Sequence, residues 1–236
     1  HDVFPLARIL QLVQEYGQSE MRRPVEIEFA VTLNQQQKTG TFYLLQIRPM
    51  VDVKADLSED LNLISEDNIL LKSYNSLGHG IMEDIQDVVY VKTEGYSASN
   101  NPTIACEIEK MNRKFLDEGK NYVLVGPGRW GSSDSWLGIP VKWPHISAAR
   151  VIVEAGLTNY RVDPSQGTHF FQNLTSFGVG YFTINAYMND GIYNQDFLNT
   201  QPAVEETQFL RHVHFERPIV IKMDGKKKIG VVMMPS

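Results

Sequence analysis

The sequence predicts a mixed α/β protein (α+β) built in two parts. Three observations carry that expectation. Residues 87–128 read as strand, helix, strand, the pattern of a parallel βαβ unit. Residues 5–49 read as a helix followed by two strands around a polar connection. Between these lies an acidic stretch, VDVKADLSEDLNLISED, the natural boundary. The expected division is therefore residues 1–51, a linker over 52–67, and a second domain over 68–236. A chain of 236 residues, 42% hydrophobic, has enough apolar surface for one large domain or two smaller ones.

In PLARILQLVQEY, Leu6, Ile9, Leu10, Val13 and Tyr16 recur at helical spacing, proline sits in the first turn, and Gly17 reads as the stop. VEIEFAVTL and TGTFYLLQIRP are strands, the second ended by Pro49, which cannot donate to a ladder. DVVYVKT (87–93) reads as a strand, NPTIACEIEKMNRKFLDEG (101–119) as an amphipathic helix, and NYVLVGPG (121–128) as a strand. SAARVIVEAG fits a strand but also a helix. QGTHFFQNLTSFG reads as a short helix, VGYFTINAYM as a strand, and RPIVIKMDGKKKIGVVMM as a hairpin turning at Asp224–Gly225.

Lys plus Arg number 22 against 28 Asp plus Glu, a net charge of −6, which argues against a general nucleic-acid or anionic-membrane surface. The single cysteine, Cys106, excludes an internal disulfide, fits a reducing compartment, and on an amphipathic helix is expected to be buried. No apolar run reaches the ~18 residues that span a bilayer, and no basic-then-apolar secretory start is present. These features read as a cytoplasmic protein. The chain opens on His1 directly before a helix, which reads as a piece of something longer.

Side chains alternate along a strand, so Phe42, Leu44, Gln46 and Arg48 are expected on one face. If the two strands pair around Gln37, Glu28 stands opposite Gln46 and Glu26 opposite Arg48. Two carboxylates, an amide and a guanidinium on one face could hold magnesium and a polyphosphate. Magnesium takes a few carboxylate oxygens plus phosphate oxygens, and arginine clamps phosphate through its fork. The same four residues could equally be a cross-strand pair on a wet face, worth roughly 0.2–1 kcal/mol.

A helix ending in Tyr-Gly, then Glu-Ile-Glu-aromatic, then Leu-Gln-x-Arg-Pro resembles the end of the ATP-grasp nucleotide domain of phosphoenolpyruvate synthases and pyruvate phosphate dikinases. Tyr16, Gly17, Glu26, Ile27, Glu28, Phe29, Leu45, Gln46, Arg48 and Pro49 carry the resemblance, which spans about 50 residues. It implies ATP and magnesium as cofactors, Glu28 as metal ligand with Glu26 in support, and Gln46 and Arg48 on the ATP phosphates. Arg48 would thereby also serve catalysis. It further implies a nucleotide and a small acceptor such as pyruvate as partners, and an upstream remainder supplying the glycine-rich phosphate loop and a lysine. A (β/α)8 phosphoenolpyruvate/pyruvate domain needs ~250 residues, more than the 185 after residue 51.

In the same family a swivelling domain carries a phosphate-accepting histidine after Gly-Gly-x-Thr-x-His. The counterpart here is GTHFF with His169, although Thr168 is adjacent to the histidine and two phenylalanines follow. A packing or capping role for His169 stays open. The loop GPGRWGSSD could cradle an anion through its amides and Arg129, or be a tight structural loop. Trp130, Trp136 and Trp143 read as packing residues. His212 and His214 could share a metal but lack an evident third ligand. His79 reads as part of a turn and Lys226–Lys228 as a solvated tip. The competing expectation for 68–236 is a non-catalytic ligand-binding or regulatory module.

Overall fold

The computed structural model describes residues 4–21, 25–34, 36, 39–49, 59–158, 161–163, 174 and 178–235. The chain is mixed α/β, and it divides into two compact units, His1–Asp52 and Val53–Ser236.

The first unit holds α1 (Leu6–Met21), β1 (Val25–Asn34) and β2 (Thr39–Pro49). Leu6, Ile9, Leu10 and Val13 are half-buried, whereas Tyr16 is 71% exposed. The helix does not stop at Gly17 but runs on to Met21. Gly17 is instead the point of closest approach to the hairpin. A Cβ there would lie 2.4 Å from Ile47 Cδ1 and 3.1 Å from Val25 Cγ2. Only a residue without a side chain lets the helix seat so near the sheet. Gly17→Val is expected to cost about 1–3 kcal/mol through overpacking, read as a lower midpoint in urea unfolding.

The β1–β2 ladder is antiparallel and pairs Glu26 with Arg48, Ile27 with Ile47 and Glu28 with Gln46. Between Glu28 and Phe29 the register shifts, so Phe29 pairs with Leu44 and Val31 with Phe42. Leu45 is the extra residue of a β-bulge. The bulge corrects the expected single face. Phe42 and Leu44 share the face of Phe29, and Phe42 stacks on that ring at 5.3 Å. Gln46 pairs on the opposite, Glu28 face.

The second unit is built on a ten-stranded sheet. Its elements are β3 (Ile69–Ser73), β4 (Asn75–Leu77), β5 (Gly80–Val91), α2 (Asn101–Asp117), β6 (Tyr122–Pro127), β7 (Arg129–Trp130), β8 (Gly138–Ile139), β9 (Ala149–Ala155), β10 (Gly180–Ile184), β11 (Ile192–Tyr193), α3 (Gln195–Thr200), β12 (Ala203–Glu206), β13 (Leu210–Asp224) and β14 (Ile229–Met233). The order is β11-β3-β14-β13-β5-β6-β9-β10-β4, with β12 beside β13, while β7 and β8 form a separate pair. Strands β5, β6, β9 and β10 are parallel, so the predicted βαβ unit is β5-α2-β6.

Helix α2 buries Ile104, Ala105, Ile108, Met111, Asn112 and Phe115 against Val89, Val91, Tyr122 and Leu124. The other sheet face packs Val88, Tyr90, Val123, Val125, Val153 and Phe182 with Leu198 of α3. With both faces covered, β9 reads as an unbroken apolar run and is a strand, which resolves the ambiguity of SAARVIVEAG. Cys106 is exposed, contrary to expectation, because it lies two residues from Ile104 and so on the outer side of α2. Of the tryptophans, Trp130 is buried, Trp143 packs partly buried against the core, and Trp136 is 67% exposed.

The C-terminal hairpin forms as expected, but its turn is wider than Asp-Gly. Asp224 pairs with Ile229, leaving residues 225–228 as the loop. The Asp224 carboxylate accepts from the amides of Lys226 and Lys227 at 2.9 and 3.1 Å, which folds the chain after the aspartate. The helix expected over QGTHFFQNLTSFG lies largely outside the described residues. Among those described, no helix is long and apolar enough to cross a membrane.

Candidate functional site

The hairpin brings together the four positions singled out in the sequence. Glu26 opposite Arg48 and Glu28 opposite Gln46 are consecutive same-face pairs of one ladder, next to the bulge at Leu45. Glu26 and Glu28 are exposed and Gln46 is half-buried. The ladder thus sets the two glutamates opposite an arginine and a glutamine at adjacent same-face steps, residue types a magnesium–polyphosphate pair requires. His169 lies outside the described residues.

Arg129 sits where the sequence suggested, directly beyond the carboxyl end of β6. The loop around it is pinned. Gly128 N–H donates to Ala155 O, Arg129 N–H to Leu137 O, and Gly131 N–H to Ile139 O. Trp130 N–H donates to Glu154 Oε1 at 3.1 Å, and its indole Nε1–H donates to Val153 O at 2.9 Å. Gly128 and Gly131 have φ of 74° and 73°, which favours glycine. The amides of residues 128–131 are therefore spent within the protein, and the expected amide cradle is corrected. What remains for a ligand is the half-buried Arg129 side chain, whose guanidinium bonds no other described residue.

Beneath this loop lies a polar network that sequence reasoning missed. Glu154 is fully buried on β9, and Tyr181 Oη–H donates to its Oε2 at 2.5 Å. Thr183 Oγ1–H donates in turn to Tyr181 Oη at 2.8 Å. The signal was present: a lone glutamate closes the apolar run RVIVE. At the same carboxyl ends of the parallel strands opens a cavity of about 650 Å³, bordered by Thr93, Tyr96, Gly156, Thr158, Tyr193 and Gln195. Open parallel sheets bind ligands in this position. Tyr193 Oη is buried and finds no hydrogen-bond partner among the described residues, and burial raises its pKa well above the ordinary phenol range.

A third cluster stands at the other end of the parallel strands. Asp87, 4% exposed at the start of the β5–β6 pairing, is the direct ladder partner of His214. Its Oδ1 accepts from His212 Nε2 at 2.6 Å and from His214 Nδ1 at 2.9 Å. The third residue near the two histidines thus exists, but their nitrogens are turned onto its oxygen. Among the described residues no group of three such side chains is arranged to hold a metal ion. Burial pushes the Asp87 carboxyl up, yet the hydrogen bonds from His212 and His214 outweigh it and leave it below the usual range.

A carboxyl whose pKa is lowered on folding contributes stability above its unfolded value, near ~3.9, and loses it as pH falls through the folded value. Wild-type protein should therefore lose Tm more steeply than Asp87→Asn as pH is lowered from about 5 through the acid range. Parallel curves for the two proteins would contradict this.

Compared with known proteins, the chain matches no family model, no curated protein and no solved structure.

Proposed function

We propose that residues 1–52 complete a nucleotide site of the ATP-grasp kind and that the protein is an Mg-ATP-dependent phosphotransferase. The observation that carries this reading is the ladder register, which pairs Glu26 with Arg48 and Glu28 with Gln46. In it, Glu28 holds magnesium with Glu26 in support, while Gln46 and Arg48 bind and neutralise the phosphates. Preceding sequence supplies the glycine-rich loop and lysine. The phosphoryl group passes to a histidine, with His169 the candidate, or to a small acceptor of the pyruvate type. Arg129, beyond the carboxyl end of β6, is a candidate anion contact within the second unit. The single cysteine, which leaves no internal disulfide, supports a cytoplasmic reading.

The test uses the protein with its preceding sequence, Mg²⁺ and ATP labelled in the β-phosphate. The expected result is an acid-labile, base-stable protein phosphate that disappears in His169→Ala. Label surviving that substitution moves the acceptor elsewhere. The absence of both protein label and labelled small product would overturn the phosphotransferase reading.

A second reading rests on a specific observation, the 650 Å³ cavity at the strand ends. That volume suits a small ligand. Residues 53–236 would then be a ligand-binding module that regulates the nucleotide unit.

A further inference from the structure

We propose that the cleft beside Asp87 is a proton-transfer site in which Nε2 of His214 is the base, and that it takes a small neutral amphipathic molecule with an acidic O–H group. The inference uses residues of the second unit alone and is independent of the nucleotide reading.

An ionised carboxylate can only accept hydrogen bonds. Both nitrogens that meet Asp87 Oδ1 must therefore carry hydrogen, and this fixes the tautomers. Neutral His214 has its proton on Nδ1 and its lone pair on Nε2. His79 and His145 are the reverse. Their Nδ1 atoms accept from the backbone N–H groups of Gly225 at 3.2 Å and Lys142 at 3.1 Å, so those lone pairs are spent. His212 also donates to Asp87, but its side chain is only 12% exposed and its ring packs on Phe115 at 5.0 Å. His214 is 38% exposed. Among the described residues, it is the more exposed of the two imidazoles with a carboxylate behind one nitrogen, and no described group bonds its other nitrogen.

That ring borders a cleft of about 300 Å³. Met111, Phe115 and Val204 give the cleft an apolar wall. Its charged groups are already matched: Lys114 pairs with Glu205 at 2.7 Å and Lys120 with Glu118 at 2.7 Å. With no spare cation, the cleft suits a neutral molecule whose apolar part lies on Phe115 and Val204. In the step, the ligand's O–H bond breaks and its electron pair stays on oxygen. The Nε2 lone pair binds the proton, and Asp87 stabilises the imidazolium that forms.

Diethyl pyrocarbonate acylates the lone pair of a neutral imidazole and needs no knowledge of the ligand. At pH 8, with modification followed peptide by peptide in a mass spectrometer, His214 should react about tenfold or more faster than His79 and His145. Asp87→Asn should abolish that lead, and Val204→Trp, which fills the cleft and leaves Asp87 in place, should slow His214 alone. p-Cresol, a ring bearing an O–H, should protect His214 selectively. A His214 rate no greater than those of His79 and His145 would overturn the proposal, and that comparison holds within wild-type protein even if Asp87→Asn fails to fold. A lead that survives Asp87→Asn would remove the carboxylate's role, and an absence of protection by p-cresol would overturn the ligand class.

Discussion

Replacing Trp130 with alanine is expected to destabilise the second unit by about 3–5 kcal/mol, the range for deleting a large buried aromatic ring. Three contributions add in the same direction. The ring is 2% exposed, so its removal leaves a cavity in the main core. Its Nε1–H satisfies Val153 O in the middle of β9, which would be left without that partner. The ring also lies directly over Gly126, where a Cβ would stand 2.4 Å from Cζ2. Trp130→Phe keeps most of the packing and loses the hydrogen bond, so it should cost distinctly less, about 1–2 kcal/mol. Urea unfolding followed by circular dichroism reads both. A loss below about 1 kcal/mol for the alanine variant would contradict the view that this residue pins the Arg129 loop.

The second large effect is expected at the hairpin. Glu28→Gln keeps the size of the side chain and removes the charge proposed to hold magnesium, and Arg48→Ala removes the proposed phosphate fork. A hydrogen bond to a charged group is worth about 1.5–3 kcal/mol, and tenfold in affinity is about 1.4 kcal/mol. Each substitution should weaken Mg-ATP binding by about 30-fold or more. The Glu28→Gln loss should shrink when magnesium is omitted, since the metal is what that carboxylate serves. The Arg48→Ala loss should persist, because a guanidinium meets phosphate directly.

The βαβ unit was legible because the hydrophobic period switches from 2 to 3.6 and back over residues 87–128, within a short stretch of chain. The hairpin register was legible from the paired spacing of Glu26/Glu28 and Gln46/Arg48. The bulge was not, because Tyr43, Leu44 and Leu45 are all large and apolar and give no sign of which one is skipped. Gly17 illustrates a different limit. Its sequence context is that of a helix stop, and only the nearness of Ile47 shows that the glycine serves a close approach. The Asp87 cluster was half legible. The His-x-His spacing on one strand face was visible, but the acid that joins it lies 125 residues away in sequence from His212. Strand pairing across that distance cannot be read from local pattern, and neither can the order of a ten-stranded mixed sheet. Glu154 carried a usable sign, an acid closing an apolar strand.

The pairs Glu26–Arg48 and Glu28–Gln46 are proposed to form part of a magnesium–nucleotide site. Calorimetric titration of ATP into the protein, joined to the glycine-rich loop and lysine that the proposal requires, with and without Mg²⁺ and alongside Glu28→Gln and Arg48→Ala, decides between this and a plain strand pair. The expected result is magnesium-dependent binding that each substitution weakens by about 30-fold or more while the unfolding midpoint is retained. Binding that is absent in the wild type, or equally strong in both variants, would contradict it and leave these residues as an ordinary cross-strand ion pair.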